Sequence, residues 1–185
     1  MEDERIVLLY WDRDEAAISE SSMKYGAYCT SIAQNILKNP ADAEECVNDT
    51  WLRAWNAMPD ERPAILSAFL GAITRNLSLD RYRKLHTAKR GKGEVEFIFD
   101  ELTDQMDKKE PSHYIEEQEL VACINHFLKN LPKEHRVMFV RRYWYFDSIT
   151  EIAERCACSE AKVKTTLFRV RGKLLDYLKK EGYAL

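Results

Sequence analysis

The stretch that decides the fold is Ser148-Ile149-Thr150-Glu151-Ile152-Ala153-Glu154-Arg155-Cys156-Ala157-Cys158-Ser159-Glu160-Ala161-Lys162-Val163-Lys164-Thr165-Thr166-Leu167-Phe168-Arg169-Val170-Arg171-Gly172-Lys173-Leu174. Ser148 and Glu151 have the spacing of a capping box, in which each side chain satisfies the other's backbone N–H at a helix start. The short helix so opened carries Ile149, Ile152 and Ala153 inward, and a turn follows at about Cys156 to Cys158. Ser159 can cap a longer second helix with Val163, Leu167, Val170, Leu174 and Leu178 as its buried stripe. Two helices across so short a turn have the spacing of a helix-turn-helix. Opposite the stripe lie Lys162, Thr165, Thr166, Arg169 and Lys173, flanked by Lys164 and Arg171. Cations are what phosphate contact needs, and hydroxyl groups near a helix start suit base edges. A solvated amphipathic helix is the competing explanation of the same face.

Upstream the pattern stays helical, with no period-2 strand signal and no internal repeat. From Asn39 to Trp55 the apolar residues Ala43, Cys46, Val47, Trp51, Leu52, Ala54 and Trp55 recur at helical spacing, with Asn39 placed to cap and Pro40 at the first helical position. At those spacings Trp51 and Trp55 read as core before they read as stacking platforms. Met58 to Pro63 breaks the pattern. A second helix then presents Leu66, Phe69, Leu70, Ile73 and Leu77 and runs on into Arg81-Tyr82-Arg83-Lys84. Arg75 and Asn76 lie one to two turns earlier on it. Cations, an amide and an aromatic suit contact with a nucleic-acid strand. A basic helix end favoured by the macrodipole explains them equally well.

The net charge of −3 conceals blocks of alternating sign. Residues 1–59 carry −6, residues 60–93 carry +5, residues 94–120 carry −8 and residues 121–185 carry +6. Two basic blocks suggest two nucleic-acid contacts on a protein that also binds something else. The acidic stretch, with Pro111, reads as a linker with room for a short helix. The expected organisation is therefore all-α: a helical domain over 1–93, an acidic linker over 94–115 and a helix-turn-helix domain over 116–185.

A hydrophobic content of 45% supports real cores, and no apolar run approaches the ~20 residues of a membrane span. Met1-Glu2-Asp3-Glu4 is acidic where a secretory signal is basic, so the expected location is cytoplasmic. Five cysteines without framework spacing suit a reducing compartment. Cys156 and Cys158 form the one close pair, and the four histidines do not cluster, so neither a metal site nor a cofactor is expected. There is no phosphate loop, zincin motif or nucleophile elbow, so the chain is not expected to be an enzyme.

Four segments, in order, resemble one bacterial family, the extracytoplasmic-function sigma factors. Asp42 to Trp55 is similar to their polymerase-binding helix, and Phe69 to Lys84 to their promoter-melting helix. Leu131 to Trp144 resembles the opening of their C-terminal domain, and Ser148 to Leu174 their −35-reading helix-turn-helix. The resemblance implies that Glu45, Asn48, Asp49 and Leu52 dock on core RNA polymerase. It places Arg62, Arg75, Asn76, Asp80, Arg81, Arg83 and Lys84 at the separated −10 strand, with the loop Asp60 to Pro63 helping to hold a flipped base. It places Ser159, Lys162, Lys164, Thr165, Thr166, Arg169 and Lys173 at the −35 element. Promoter DNA and core RNA polymerase are the implied partners, and an anti-sigma factor is a further partner the resemblance raises. Where the family usually has glycine in the helix-turn-helix turn, this chain has Ala157, which is strained if φ is positive there. Where the family has a cation, this chain has Thr166. Two rivals are a stand-alone helix-turn-helix regulator with an N-terminal sensing domain and a thiol-based redox protein using Cys156 and Cys158, which would need a low-pKa thiolate.

Overall fold

A computed structural model describes residues 1–86, 98, 101 and 117–183. Among them lie eight helices: α1 (Asp3–Trp11), α2 (Ala16–Leu37), α3 (Pro40–Ala57), α4 (Leu66–His86), α5 (Glu117–Asn130), α6 (Lys133–Tyr143), α7 (Ile149–Arg155) and α8 (Glu160–Lys180). The protein is all-α, and its contacts divide it into two units, Met1–Gly91 and Lys92–Leu185. The segment expected as a linker, 94–115, falls outside the described residues except at two points. Ile98 and Glu101 are both helical, and Ile98 is 1% exposed.

In the first unit α2 packs against α1, α3 and α4, and α3 packs against α4. The turn from α2 to α3 is written in three residues. Lys38 ends α2 in the left-handed region, at φ 55°. The Asn39 side chain then accepts from the N–H groups of Ala41 and Asp42 at 2.9 and 3.2 Å. Pro40 takes the first helical position, where its missing N–H costs nothing. The buried stripe of α3 is Ala43, Cys46, Val47, Thr50, Trp51 and Ala54, which puts Trp51 in the core. Residues 1–24, which no motif assigned, supply α1 and the start of α2, with Ile6 and Tyr10 fully buried.

The stripe of α4 departs from its expected phase. Leu66 and Leu70 are buried as expected, but Phe69, Ile73 and Leu77 are half-buried while Thr74, Ser78, Leu79 and Tyr82 go inside. Thr74 packs there because its hydroxyl bonds the Leu70 carbonyl at 2.8 Å and meets the Thr50 hydroxyl at 3.0 Å. A satisfied hydroxyl can be buried without a desolvation penalty. Close approach of α2 to α4 depends on Gly71, because a Cβ there would run into the Tyr28 phenol.

In the second unit α8 packs against α5, α6 and α7. Phe127 of α5 meets Tyr177 of α8 with ring centroids 5.5 Å apart. The inward face of α6 is Met138, Phe139, Arg142 and Tyr143, whereas Val137 is 38% exposed and Val140 and Trp144 are half-buried. Arg142 can go inside because its charge is answered there, by the Glu101 carboxylate and the Asp147 carbonyl.

Candidate nucleic-acid interface

The helix-turn-helix is built from three local devices. Ser148 and Glu151 form the reciprocal cap: the Glu151 N–H donates to Ser148 Oγ at 3.2 Å and the Ser148 N–H to Glu151 Oε2 at 2.7 Å. The turn is a Schellman motif, with Cys158 N–H on the Ala153 carbonyl (3.0 Å) and Ala157 N–H on the Glu154 carbonyl (3.2 Å). This geometry puts Ala157 at φ 49°, so the alanine stands in a left-handed position that favours glycine. Ser159 then caps α8 by accepting from the Lys162 N–H at 3.2 Å.

Along α8 the buried residues are Val163, Thr166, Leu167, Val170 and Leu178. The exposed face carries Lys162, Lys164, Thr165, Phe168, Arg169 and Lys173. Thr166 therefore sits on the inner side, 8% exposed, apart from the others expected to meet DNA. Phe168, which the sequence reading passed over, stands on the outer face at 60% exposure. Its position one turn beyond Thr165 was the available clue. Two of the lysines have partners: Lys162 Nζ lies 2.5 Å from Glu134 Oε1, and Lys164 Nζ lies 3.6 Å from Glu160 Oε2. Both pairs are about half exposed, where such pairs contribute little and exchange readily with phosphate.

Behind this face the chain gathers its buried charge. Glu101 accepts from Arg142 and from Tyr143 Oη (3.2 Å), and Arg171 Nη1 donates to that phenol at 2.8 Å. Burial pushes the Tyr143 phenol up to about 12. Arg141 pairs with the 2% exposed Asp147 carboxylate at 2.5 Å. Cys156, whose thiol is pushed up by burial and then by Cys158, lacks the low-pKa character a redox thiol needs.

In the first unit, Glu45, Asn48, Asp49 and Leu52 stand together on the exposed side of α3, with Leu52 58% exposed. On α4, Asn76, Asp80, Arg83 and Lys84 are exposed, while Arg75 and Arg81 are half-buried. Burial lowers the pKa of the Arg75 guanidinium. Arg81 bridges the two helices: its Nη2 lies 2.6 Å from both Asp42 Oδ1 and Glu45 Oε2. The structure thus joins a residue expected at polymerase to one expected at DNA. Arg83 lies 3.3 Å from Asp80 on its own helix. Arg62, in the middle of the α3–α4 loop, stacks 4.7 Å over the Trp11 ring beside a cavity of about 360 Å³. Arg13 covers another half-buried tryptophan, Trp55, at 4.3 Å.

Among the described residues, no group of three metal-ligating side chains is gathered, and no helix is long and apolar enough to cross a membrane. The family model for sigma-70 region 2 matches residues 23–87, and that for sigma-70 region 4 matches residues 122–174. The chain belongs to the sigma-70 family. The region 2 match takes in α3, α4 and the basic end of α4; the region 4 match runs from α5 through the exposed face of α8. A sigma-70 family relative, the ECF RNA polymerase sigma factor SigE of Mycolicibacterium smegmatis, is 26% identical over 153 residues, 82% of this chain and 57% of its own length. Among solved structures, the chain is similar to CnrH in complex with the cytosolic domain of CnrY, at 20% identity and TM-score 0.45, covering 96% of this chain and 97% of that one. It is also similar to the sigma factor RpoE in complex with the anti-sigma factor NepR from Bartonella quintana, at 20% identity and TM-score 0.36, covering 87% and 96%.

Proposed function

We propose that this chain binds core RNA polymerase and directs promoter-specific transcription initiation, acting by binding and not by covalent chemistry. The observation that carries this reading is the capped helix-turn-helix with an outward cationic and hydroxyl face on α8, set in a region 4 match that follows a region 2 match. Lys162, Lys164, Thr165, Arg169 and Lys173 of α8, with the Ser159 cap, are assigned to the −35 element. Thr166 is left to the core and Phe168 is added, since an exposed phenyl can meet a thymine methyl in the major groove. Arg62, Asn76, Asp80, Arg83 and Lys84, with Arg75 beneath them, are assigned to the separated −10 strand. Glu45, Asn48, Asp49 and Leu52 of α3 form the polymerase-docking face, and Arg81 holds that face to α4 through Asp42 and Glu45. The N-terminal unit ends near residue 91, and the C-terminal unit takes in Ile98 and Glu101 from the acidic stretch. An anti-sigma factor is a further proposed partner, and the cytoplasm the proposed location.

Reconstituted transcription tests the reading. Core polymerase with this chain should initiate from a subset of promoters that core polymerase alone ignores, and Asp49→Ala should lower the yield by weakening polymerase association. An absence of stimulation across a genomic promoter library would end the proposal. A stand-alone regulator would instead bind duplex DNA tightly and specifically without polymerase.

A further inference from the structure

Arg142 of α6 has no part in the contacts assigned above, yet the second unit is arranged around it. It is 2% exposed. Its Nη2 donates to Glu101 Oε1 at 3.0 Å, its Nε to Glu101 Oε2 at 3.3 Å and its Nη1 to the Asp147 carbonyl at 2.9 Å. Tyr143 Oη donates to the same carboxylate at 3.2 Å, and Arg171 Nη1 lies 3.7 Å from it. Two guanidinium groups and a phenol converging on one pair of oxygens is a layout that selects an oxyanion, because the guanidinium fork matches both carboxylate and phosphate.

The location of this cluster gives it a use. Glu101 borders a cavity of about 540 Å³ whose other walls include Ile149 of α7 and Lys164, Thr165, Phe168 and Arg171 of α8. These α8 residues belong to the exposed turns already assigned to DNA or adjoin them. The carboxylate comes from the acidic stretch, 41 residues before Arg142, and not from the helix-turn-helix itself. A buried cation stripped of its partner is strongly unfavourable, so an anion must enter whenever Glu101 leaves.

We infer that Arg142, Tyr143 and Arg171 form an oxyanion site at the edge of the DNA-reading face, filled by Glu101 in the free chain and by a duplex-DNA phosphate when Glu101 is displaced. The inference rests on the assignment of α8 to DNA. Glu101 carries one negative charge in place of one phosphodiester, so it competes for a position that DNA would otherwise take. While Glu101 holds the site, DNA affinity is reduced by the fraction of chains in the closed state. The free factor is thereby kept from the large excess of non-promoter duplex, and a partner that draws the acidic stretch away raises affinity without touching α8.

The test titrates the full chain with a mixed-sequence duplex of about 20 base pairs between roughly 50 and 200 mM salt. Wild type, Glu101→Gln and Arg169→Ala are compared, with a thermal melt of each. Glu101→Gln, still folded, should bind about three- to tenfold tighter at low salt with the log–log salt slope of wild type, because the bound state holds the same phosphate in both and only the closed fraction of the free chain is removed. Equal or weaker binding by folded Glu101→Gln overturns the inference and makes Glu101 a fixed structural partner. If Arg169→Ala binds as wild type does, the assignment of α8 has failed first. If Arg169→Ala weakens binding while Glu101→Gln does not strengthen it, only the oxyanion exchange has failed. Should Glu101→Gln lose its cooperative melt, Arg171→Gln decides: a slope shallower by about 0.9 upholds the site, and an unchanged slope overturns it.

Discussion

The two helices assigned to DNA, α4 of the first unit and α8 of the second, hold several of their cations differently. In the first, Arg81 is held by Asp42 and Glu45 from another helix, and Arg75 is drawn into the packing of α4. In the second, Arg169 and Lys173 stand on the open side of α8, and Lys162 and Lys164 are held by half-exposed pairs. Glycine is used in opposite ways as well. Gly71 sits where two helices need space, whereas Ala157 sits where the backbone conformation favours glycine. α4 ties Arg75 and Arg81 into the packing of its unit, whereas α8 turns Arg169 and Lys173 outward. A basic residue in the sequence therefore does not have one meaning across the chain.

The largest expected effect is on the close packing of the first unit. Gly71→Ala should destabilise it by about 1–3 kcal/mol, the usual range for overpacking. Tryptophan fluorescence during denaturant unfolding reports this, because Trp11, Trp51 and Trp55 all lie in that unit. An unchanged midpoint would mean that Tyr28 yields easily and that the contrast in glycine use is empty.

Next comes the contrast in cations. Arg169→Ala should make the salt slope of duplex binding shallower by about 0.9, while Arg81→Ala should leave it unchanged because Arg81 is already neutralised. Equal slopes for the two variants would erase the distinction between held and presented cations. A smaller effect, of opposite sign to Gly71→Ala, is expected in the turn. Ala157→Gly should stabilise the second unit by roughly 0.5–1 kcal/mol, since relief of the left-handed alanine outweighs the added freedom of the unfolded chain. A lower melting temperature for this variant would show the alanine to be unstrained.

The smallest effect is in pH dependence. The hydrogen bond from Arg81, and then its charge, hold the Glu45 carboxyl below its ordinary value of 4.5. A depressed folded-state pKa adds stability above about pH 4.5, and that contribution is lost as pH falls through the folded value. Glu45→Gln should therefore melt slightly below wild type at neutral pH, and the two curves should converge on acidification. A difference that persists under strongly acidic conditions would assign the effect to packing.

What could be read in advance was what is local. The Ser148 and Glu151 cap, the Asn39–Pro40 helix start and the inward phase of Val163, Leu167 and Val170 each depend on residues within a turn or two of one another. The hydroxyl of Thr166 suggests the outer face, but its spacing, three residues after Val163 and four before Val170, turns it inward. The phase of α4 is hidden from periodicity for a related reason: Thr74 hides its polarity in a bond to its own helix and behaves as a core residue. Arg142 was beyond reach in any such reading. Its partner lies 41 residues away in a stretch whose composition suggested solvation, and no periodicity announces a buried guanidinium. The Arg81 bridge to Glu45, across 36 residues, was hidden in the same way.

The hydroxyl pair between α3 and α4 has a mechanical consequence. An apolar seam resists separation but tolerates small axial slips, because dispersion has little direction. The Thr50–Thr74 contact at 3.0 Å does not, since a hydrogen bond fades steeply with misalignment. It indexes one helix against the other at a single setting. Any sliding of α3 along α4 would therefore cost this bond as well as apolar contact.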